Sequence, residues 1–348
     1  MRPTVAGYST VRTPRLGTLY LTASPGGLSD WLRNGWTELP YGIKLAPGMT
    51  SLSSVFSSMG VLKTAPPLET GNVTSFASMF SGCTSMTSVP LYDTSKATDV
   101  SSMFNGCSAL TSVPLFDLSK VTGNNAGYFL ANCSSLTTVP AFNVALATSA
   151  GSFLAGCSSL TTVPVISLPN CTTFTSFFQS CTNLTTIPAM DFSKAAGATG
   201  VNSLFQNCTS LTTLPALSFG AITSTSNMFR DCTSLTTVPL FNTAGVTSVS
   251  GMFQGCAALT TVPAFDFTAV TTATNTFTNC PNLTSIGILN MKATFSIAGC
   301  ALDAAALNTL FTNLGSGAGG KTITITGNPG AATCDRSIAQ AKGWTVTG

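Results

Sequence analysis

A cysteine recurs along this chain at positions 83, 107, 133, 157, 181, 208, 232, 256 and 280, and six of the eight steps between them are 24 residues. The other two steps, of 26 and 27 residues, are small insertions. A fixed period of this size constrains the fold more than any composition does. Each unit is too short to bury its own apolar face and can do so only by stacking on its neighbours, which defines a solenoid. Length alone, at 348 residues, would allow two domains; the period instead predicts one elongated repeat body with a non-repeating segment at each end.

The coil Met252 to Asp266 shows the columns. Leucine stands three residues after the cysteine (Leu110, Leu136, Leu160, Leu259), with Met86 as the exception. A β-branched or aliphatic residue stands six after it (Val113, Val139, Ile187, Val262), and proline follows at 90, 114, 140, 164, 188, 215, 239 and 263. This run reads as a short strand whose pairing the proline stops, and stacked coils would form one parallel sheet. Ten residues after the cysteine lie Asp93, Asp117, Asn143, Ser167, Asp191, Ser218, Asn242, Asp266 and Asn290. Short polar side chains in such a column cap a corner by bonding nearby backbone. A calcium ladder is the other option, but Ser and Asn dilute the carboxylates and no glycine-aspartate nonapeptide accompanies them. In the remaining half-coil Val121, Ile222, Val246 and Val270 each precede a threonine, and both insertions, around 123–127 and 195–200, fall there.

Three segments follow from the register. The repeat opens at Leu52, where Val55-Phe56 occupy the Met-Phe position and Met59 the cysteine column, and about ten coils run from there to Asn290. Residues 1–51 do not repeat: a strand is expected over Leu16 to Leu21 and a short helix over Leu28 to Arg33. This segment is read either as a cap on the solenoid core or as an attachment arm, with Arg2, Arg12, Arg15, Trp31, Arg33 and Trp36 as the candidate docking residues. In residues 291–348, Asp303 should cap a helix over Ala304–Leu314 stopped by Gly315. A strand over 321–326, a turn over 327–330, a helix over 335–342 and a last strand from Trp344 complete an α/β cap.

Charged residues make up only 7% of the chain, against roughly 25% in an ordinary globular domain. The net charge of +3 arises in the first fifty residues, where Arg2, Arg12, Arg15, Arg33 and Lys44 face Asp30 and Glu38. Nothing approaches the clustered basic footprint of a nucleic-acid binder. No apolar run reaches the length of a membrane span, and the start of the chain lacks the apolar core of a secretory signal, so either a signal has been removed or the protein is made and assembled without Sec export. Histidine is absent, which removes Ser-His and Cys-His nucleophile activation, and no Cys-x-x-Cys pair offers a zinc site. No cofactor and no enzyme activity are expected. The repeating cysteines stack in a file with parallel side chains, so they are expected reduced and buried as small hydrophobes.

The pattern Met-Phe-x-Gly-Cys-x-x-Leu-Thr-Thr-Val-Pro, as at Met252–Pro263, resembles the BspA-like (Treponema-type) leucine-rich repeats over about Leu52 to Asn290. The Lys321-to-Trp344 stretch is similar to those closing repeat arrays in phage-encoded and host-associated bacterial proteins. The resemblance implies a leucine-rich-repeat solenoid used for adhesion or scaffolding, and it supplies no site residue. Two destinations remain open: a phage virion, as capsid decoration or tail or fibre component, and a bacterial surface, as a secreted adhesin or extracellular filament subunit. Partners would be other structural proteins of that assembly, or a glycan or protein of a host surface. The candidate binding surface is the sheet face, with Thr137, Thr138, Thr161, Thr162, Thr185, Thr186, Thr212, Thr213, Thr236 and Thr237.

Overall fold

The segment between the Val-Thr pair and the cysteine binds coil to coil. In a computed structural model, which describes residues 19–21, 43–317 and 319–348, every second N–H of this segment points at the next coil. Phe76, Ser78, Phe80 and Gly82 donate to the carbonyls of Asp99, Ser101, Met103 and Asn105 at 2.8, 2.8, 2.9 and 2.7 Å. The N–H groups between them close turns instead: Met79, Ser81 and Cys83 donate three residues back, at 3.0 to 3.1 Å. No backbone donor from Met79 to Cys83 is left without a partner. The alternation requires a left-handed residue at two points, here Ser78 (φ 53) and Gly82 (φ 76). Glycine, and to a lesser degree Asn and Asp, tolerates that region, so the position before the cysteine is Gly106, Asn132, Gly156, Asn207, Asp231, Gly255 or Asn279 in other coils, with Ser180 (φ 59) as the exception.

The expected strand is thinner than its sequence suggests. Along the Leu-Thr-Thr-Val run the coils share a single backbone bond in most places: Thr87 N to Lys63 O at 2.9 Å, Thr137 N to Thr111 O at 3.2 Å, Thr212 N to Thr185 O at 3.1 Å. Along this run, among the described residues, two-residue strands pair only at Thr261–Val262 with Ser285–Ile286, in parallel register; the other such pair, Thr122–Gly123 with Leu146–Ala147, lies in the half-coil of the first insertion. Proline removes the donor that would extend each run, and the ladder that holds the coils together lies in the Met-Phe segment instead.

The described residues fall into two compact units, Met1–Cys171 and Thr172–Gly348. In the first, Leu19–Leu21 (β1) pairs in parallel with Ile43–Leu45 (β2), so part of the strand expected over 16–21 is present. The helix expected over 28–33 lies outside the described residues. The core of this unit is a file of phenylalanines: Phe56 on Phe80 at 5.3 Å, Phe80 on Phe104 at 5.8 Å and nearly parallel, then Phe129 edge-on to Phe104 at 5.6 Å. Stacked coils repeat at about 5 Å, which suits offset stacking of one ring per coil. The ring turns edge-on at the coil that carries the 123–127 insertion.

The second unit repeats the file through Phe178, Phe205, Phe229, Phe253 and Phe277, with centroids 5.7 to 5.8 Å apart. Phe295 and Trp344 end it, 5.8 Å apart and perpendicular, and the buried Trp344 Nε1 donates to Gly315 O at 3.0 Å. Phe295–Ser296, Lys321–Thr324 and Trp344–Thr347 form a three-stranded parallel sheet in that order. Helix α1 spans Ala304–Asn313, one residue shorter than expected, and its first turn is capped by Asp303 Oδ1 accepting from Ala306 N at 2.8 Å. It buries Leu307, Leu310 and Phe311. The second expected helix contracts to Ser337–Gln340 (α2), because Asp335 accepts from Ser337 N at 3.0 Å and starts the turn there.

Candidate interaction surfaces

The cysteines are part of the core. Their Sγ–H groups donate across the coil boundary to the phenylalanine carbonyl of the coil before: Cys83 to Phe56 and Cys107 to Phe80 at 3.1 Å, Cys133 to Phe104 at 3.2 Å. In the second unit Cys208, Cys232, Cys256 and Cys280 do the same to Phe178, Phe205, Phe229 and Phe253 at 3.0 Å. The Phe80 carbonyl already accepts from Cys83 N at 3.0 Å, so the thiol of the next coil fills its second lone pair. Valine would fill the space and leave that lone pair empty; serine would bury a stronger polar group. Burial pushes the thiols of Cys83, Cys133, Cys232 and Cys280 up to about 12, so at neutral pH they carry no thiolate with which to react.

The corner column works as a set of turns. Asp93, Asp117, Asp191 and Asp266 each accept, through Oδ1, from the backbone N–H two residues on, at 2.9 to 3.0 Å. Asn242 makes the same bond to Ala244 N at 3.1 Å. The Ser95 hydroxyl and then its N–H hold the Asp93 carboxyl below its ordinary value, and Thr268 does so for Asp266. Each carboxylate is therefore already engaged with its own corner. Among the described residues, no three His, Cys, Asp or Glu side chains lie close enough to hold a metal ion.

The two threonine rows of the predicted sheet face differ in what their hydroxyls do. Both rows are exposed, but Thr137 and Thr212, in the first row, donate Oγ1–H to the carbonyls of Thr111 and Thr185 at 3.4 and 3.3 Å. Thr87, Thr260 and Thr284 repeat this bond at 3.1 to 3.3 Å. That row reinforces the coil boundary. In the second row, Thr138, Thr162, Thr213 and Thr237 are exposed and their hydroxyls make no bond among the described residues. Thr186 reaches only the carbonyl of its own neighbour Ile187, at 3.5 Å. Thr161 and Thr185 have partners of their own, and Thr236 supplies the carbonyl that Thr260 uses. The outward-facing part of the predicted surface is thus the second row. Arg2, Arg12, Arg15, Trp31, Arg33 and Trp36 lie outside the described residues.

A third face was not legible as a site: residues beside the left-handed positions are mostly Ser, Gly, Ala and Asn, half-buried and small. Beyond the prolines, Leu91, Leu115 and Val165 stand 67%, 60% and 53% exposed in the first unit.

Stacked coils of this period, each with a leucine and a cysteine column turned inward, define a leucine-rich-repeat protein. A model described as "BspA type Leucine rich repeat region (6 copies)" matches residues 127–216, in accord with the resemblance in the sequence. A second model, described as "Mycoplasma protein of unknown function, DUF285", matches residues 50–167 and 199–311, more than half of the chain, and the protein belongs to that family. No curated protein matches it. Among solved structures it is similar to a leucine-rich repeat protein from Bacteroides ovatus, at 15% identity and a TM-score of 0.41 over 93% of this chain and 94% of that one. One from Eubacterium ventriosum is 16% identical with a TM-score of 0.43, over 90% and 91% of the two chains. Among the described residues no helix is long and apolar enough to cross a membrane.

Proposed function

We propose that this leucine-rich-repeat protein is a non-enzymatic structural and interaction component of a phage virion, a capsid decoration or a tail or fibre protein. Residues 1–51 dock it through Arg2, Arg12, Arg15, Trp31, Arg33 and Trp36, residues 52–290 form the repeat surface, and 291–348 close the array. The observation that carries the interaction role is the difference between the threonine rows. One row secures the coils, and the other presents Thr138, Thr162, Thr213 and Thr237 hydroxyls outward without an internal partner. The excess of basic residues in the first fifty, against a nearly neutral remainder, supports docking by that segment. The match to BspA type repeats supports a second reading, a bacterial surface adhesin or extracellular filament subunit.

Particles purified from cells that express the full chain, or the chain without residues 1–51, separate these readings when blotted for the protein. The virion reading predicts the full chain on the particles and the shortened chain left in the lysate. Equal incorporation of both contradicts the docking role, and recovery of the full chain with the cell envelope instead of particles favours the adhesin.

A further inference from the structure

One residue departs from its column. Five residues before each cysteine of the repeat the backbone is left-handed, and the residue there is Ser78, Ser102, Ser152, Ser176, Ser203, Asn227, Gly251 or Asn275; in one coil it is Tyr128, at φ 58. A bulky ring is a poor fit to that region of backbone space, where short polar side chains and glycine are at home. Burial does not compensate for the misfit. Tyr128 is 52% exposed, and among the described residues its side chain has no hydrogen-bond or ring partner. A strained residue kept where a serine would be easier points to a use outside the fold.

Its surroundings narrow that use. Tyr128 leaves the insertion at 123–127, and insertions in a repeat array map to loops that carry binding. Its N–H donates to Gly151 O at 2.9 Å, and its column neighbours are Ser102 and Ser152, so small side chains border the ring. One turn on, the exposed Asn132 donates Nδ2–H to Asn105 Oδ1 at 3.0 Å. The Asn132 amide lies over Gly156 so closely that a Cβ there would come within 2.6 Å of Oδ1. Asn124, in the insertion, is exposed as well. No Lys or Arg occurs in residues 97–119 or 121–193, so a phosphate backbone or an acidic peptide finds no counter-charge there, and Asp99 in the coil before is engaged by Ser101 N and Oγ at 2.9 and 2.7 Å.

An uncharged ligand with one flat C–H face and a rim of hydroxyls fits this arrangement: the face packs on the ring and the hydroxyls exchange hydrogen bonds with carboxamides. We propose that Tyr128, with Asn105, Asn124 and Asn132, forms a binding subsite for a neutral glycan. The subsite lies in the Met-Phe segment, away from the threonine rows, and stands or falls independently of the virion reading.

Calorimetric titration of the full chain with cellohexaose, xylohexaose, mannohexaose, laminarihexaose and chitohexaose tests it. At least one of the five binds; Tyr128→Asn weakens that binding by about ten-fold or more, and Tyr128→Phe keeps it within about three-fold. Asparagine accepts the left-handed backbone, so the thermal midpoint of Tyr128→Asn equals or exceeds that of the parent chain. Binding by none of the five sugars overturns the proposal, as does unchanged binding by Tyr128→Asn. A lower midpoint for Tyr128→Asn also overturns it, since the ring would then be holding the fold.

Discussion

Replacing Phe104 with alanine lowers the stability of the first unit by about 4 kcal/mol. The side chain is fully buried and lies at the junction of the aromatic file. It stacks on Phe80 at 5.8 Å with the planes 6° apart, lies 5.8 Å from Phe116, and meets Phe129 edge-on at 5.6 Å. Removing the ring takes away its transfer free energy and leaves a cavity that the neighbouring coils close only in part, because each is held by its own inter-coil bonds. The Phe104 carbonyl, which accepts from Cys107 N and Cys133 Sγ, is untouched by the change, so the loss reports packing alone. Urea unfolding followed by circular dichroism measures it. Phe104→Leu, which keeps most of the volume, should lose only about 1 kcal/mol, and a loss under about 1 kcal/mol for the alanine variant would mean the rings do not carry the core.

Gly330→Ala costs about 3 kcal/mol or more, although only one methyl is added. A Cβ at this position would sit 2.2 Å from both Ala304 N and the Asp303 carbonyl carbon, and 2.6 Å from Asp303 O. Those atoms are the backbone of the α1 N-cap and cannot swing aside. Gly330 is itself fixed, its N–H donating to Leu302 O at 2.9 Å and its carbonyl accepting from Thr333 and Cys334 at 3.1 and 2.9 Å. Either the helix start or the 327–330 turn must move. Gly255→Ala makes the comparison: there the nearest obstacle is Asp231 Oδ1, the tip of a half-exposed side chain held only by a surface pair with Arg230 at 3.3 Å and able to turn away. Its cost comes from the left-handed backbone, about 1–2 kcal/mol. Equal losses in thermal unfolding of the two variants would contradict this assignment.

The repeat, its inward columns and its corners were legible because each is a side-chain property repeated at a fixed step. Asp303 as a helix cap and the Lys321 and Trp344 strands were legible for the same reason: local chemistry marks them. The Met-Phe ladder was not. It is built from backbone groups, and the first of its two left-handed positions is filled mostly by serine, which has no particular preference for that region; only the Gly and Asn before the cysteine hint at it. The β-branched run before each proline drew the strand assignment because Thr and Val favour extended chain, yet propensity does not say how many N–H groups will find a partner. Likewise two adjacent threonines look alike in sequence. Their separation into a bonded and an unbonded row follows from which hydroxyl lies over the carbonyl of the preceding coil.

The cysteine file is a spacer inside the coils, which leaves function to the outer surfaces. Thiol titration with an aromatic disulfide, in the absence of reductant, tests this most directly. Eleven of the cysteines are buried and only Cys334 is partly accessible, so the native protein should label at one thiol and the unfolded chain at all twelve. Several reactive thiols in the native state, or far fewer than twelve after unfolding, would contradict it.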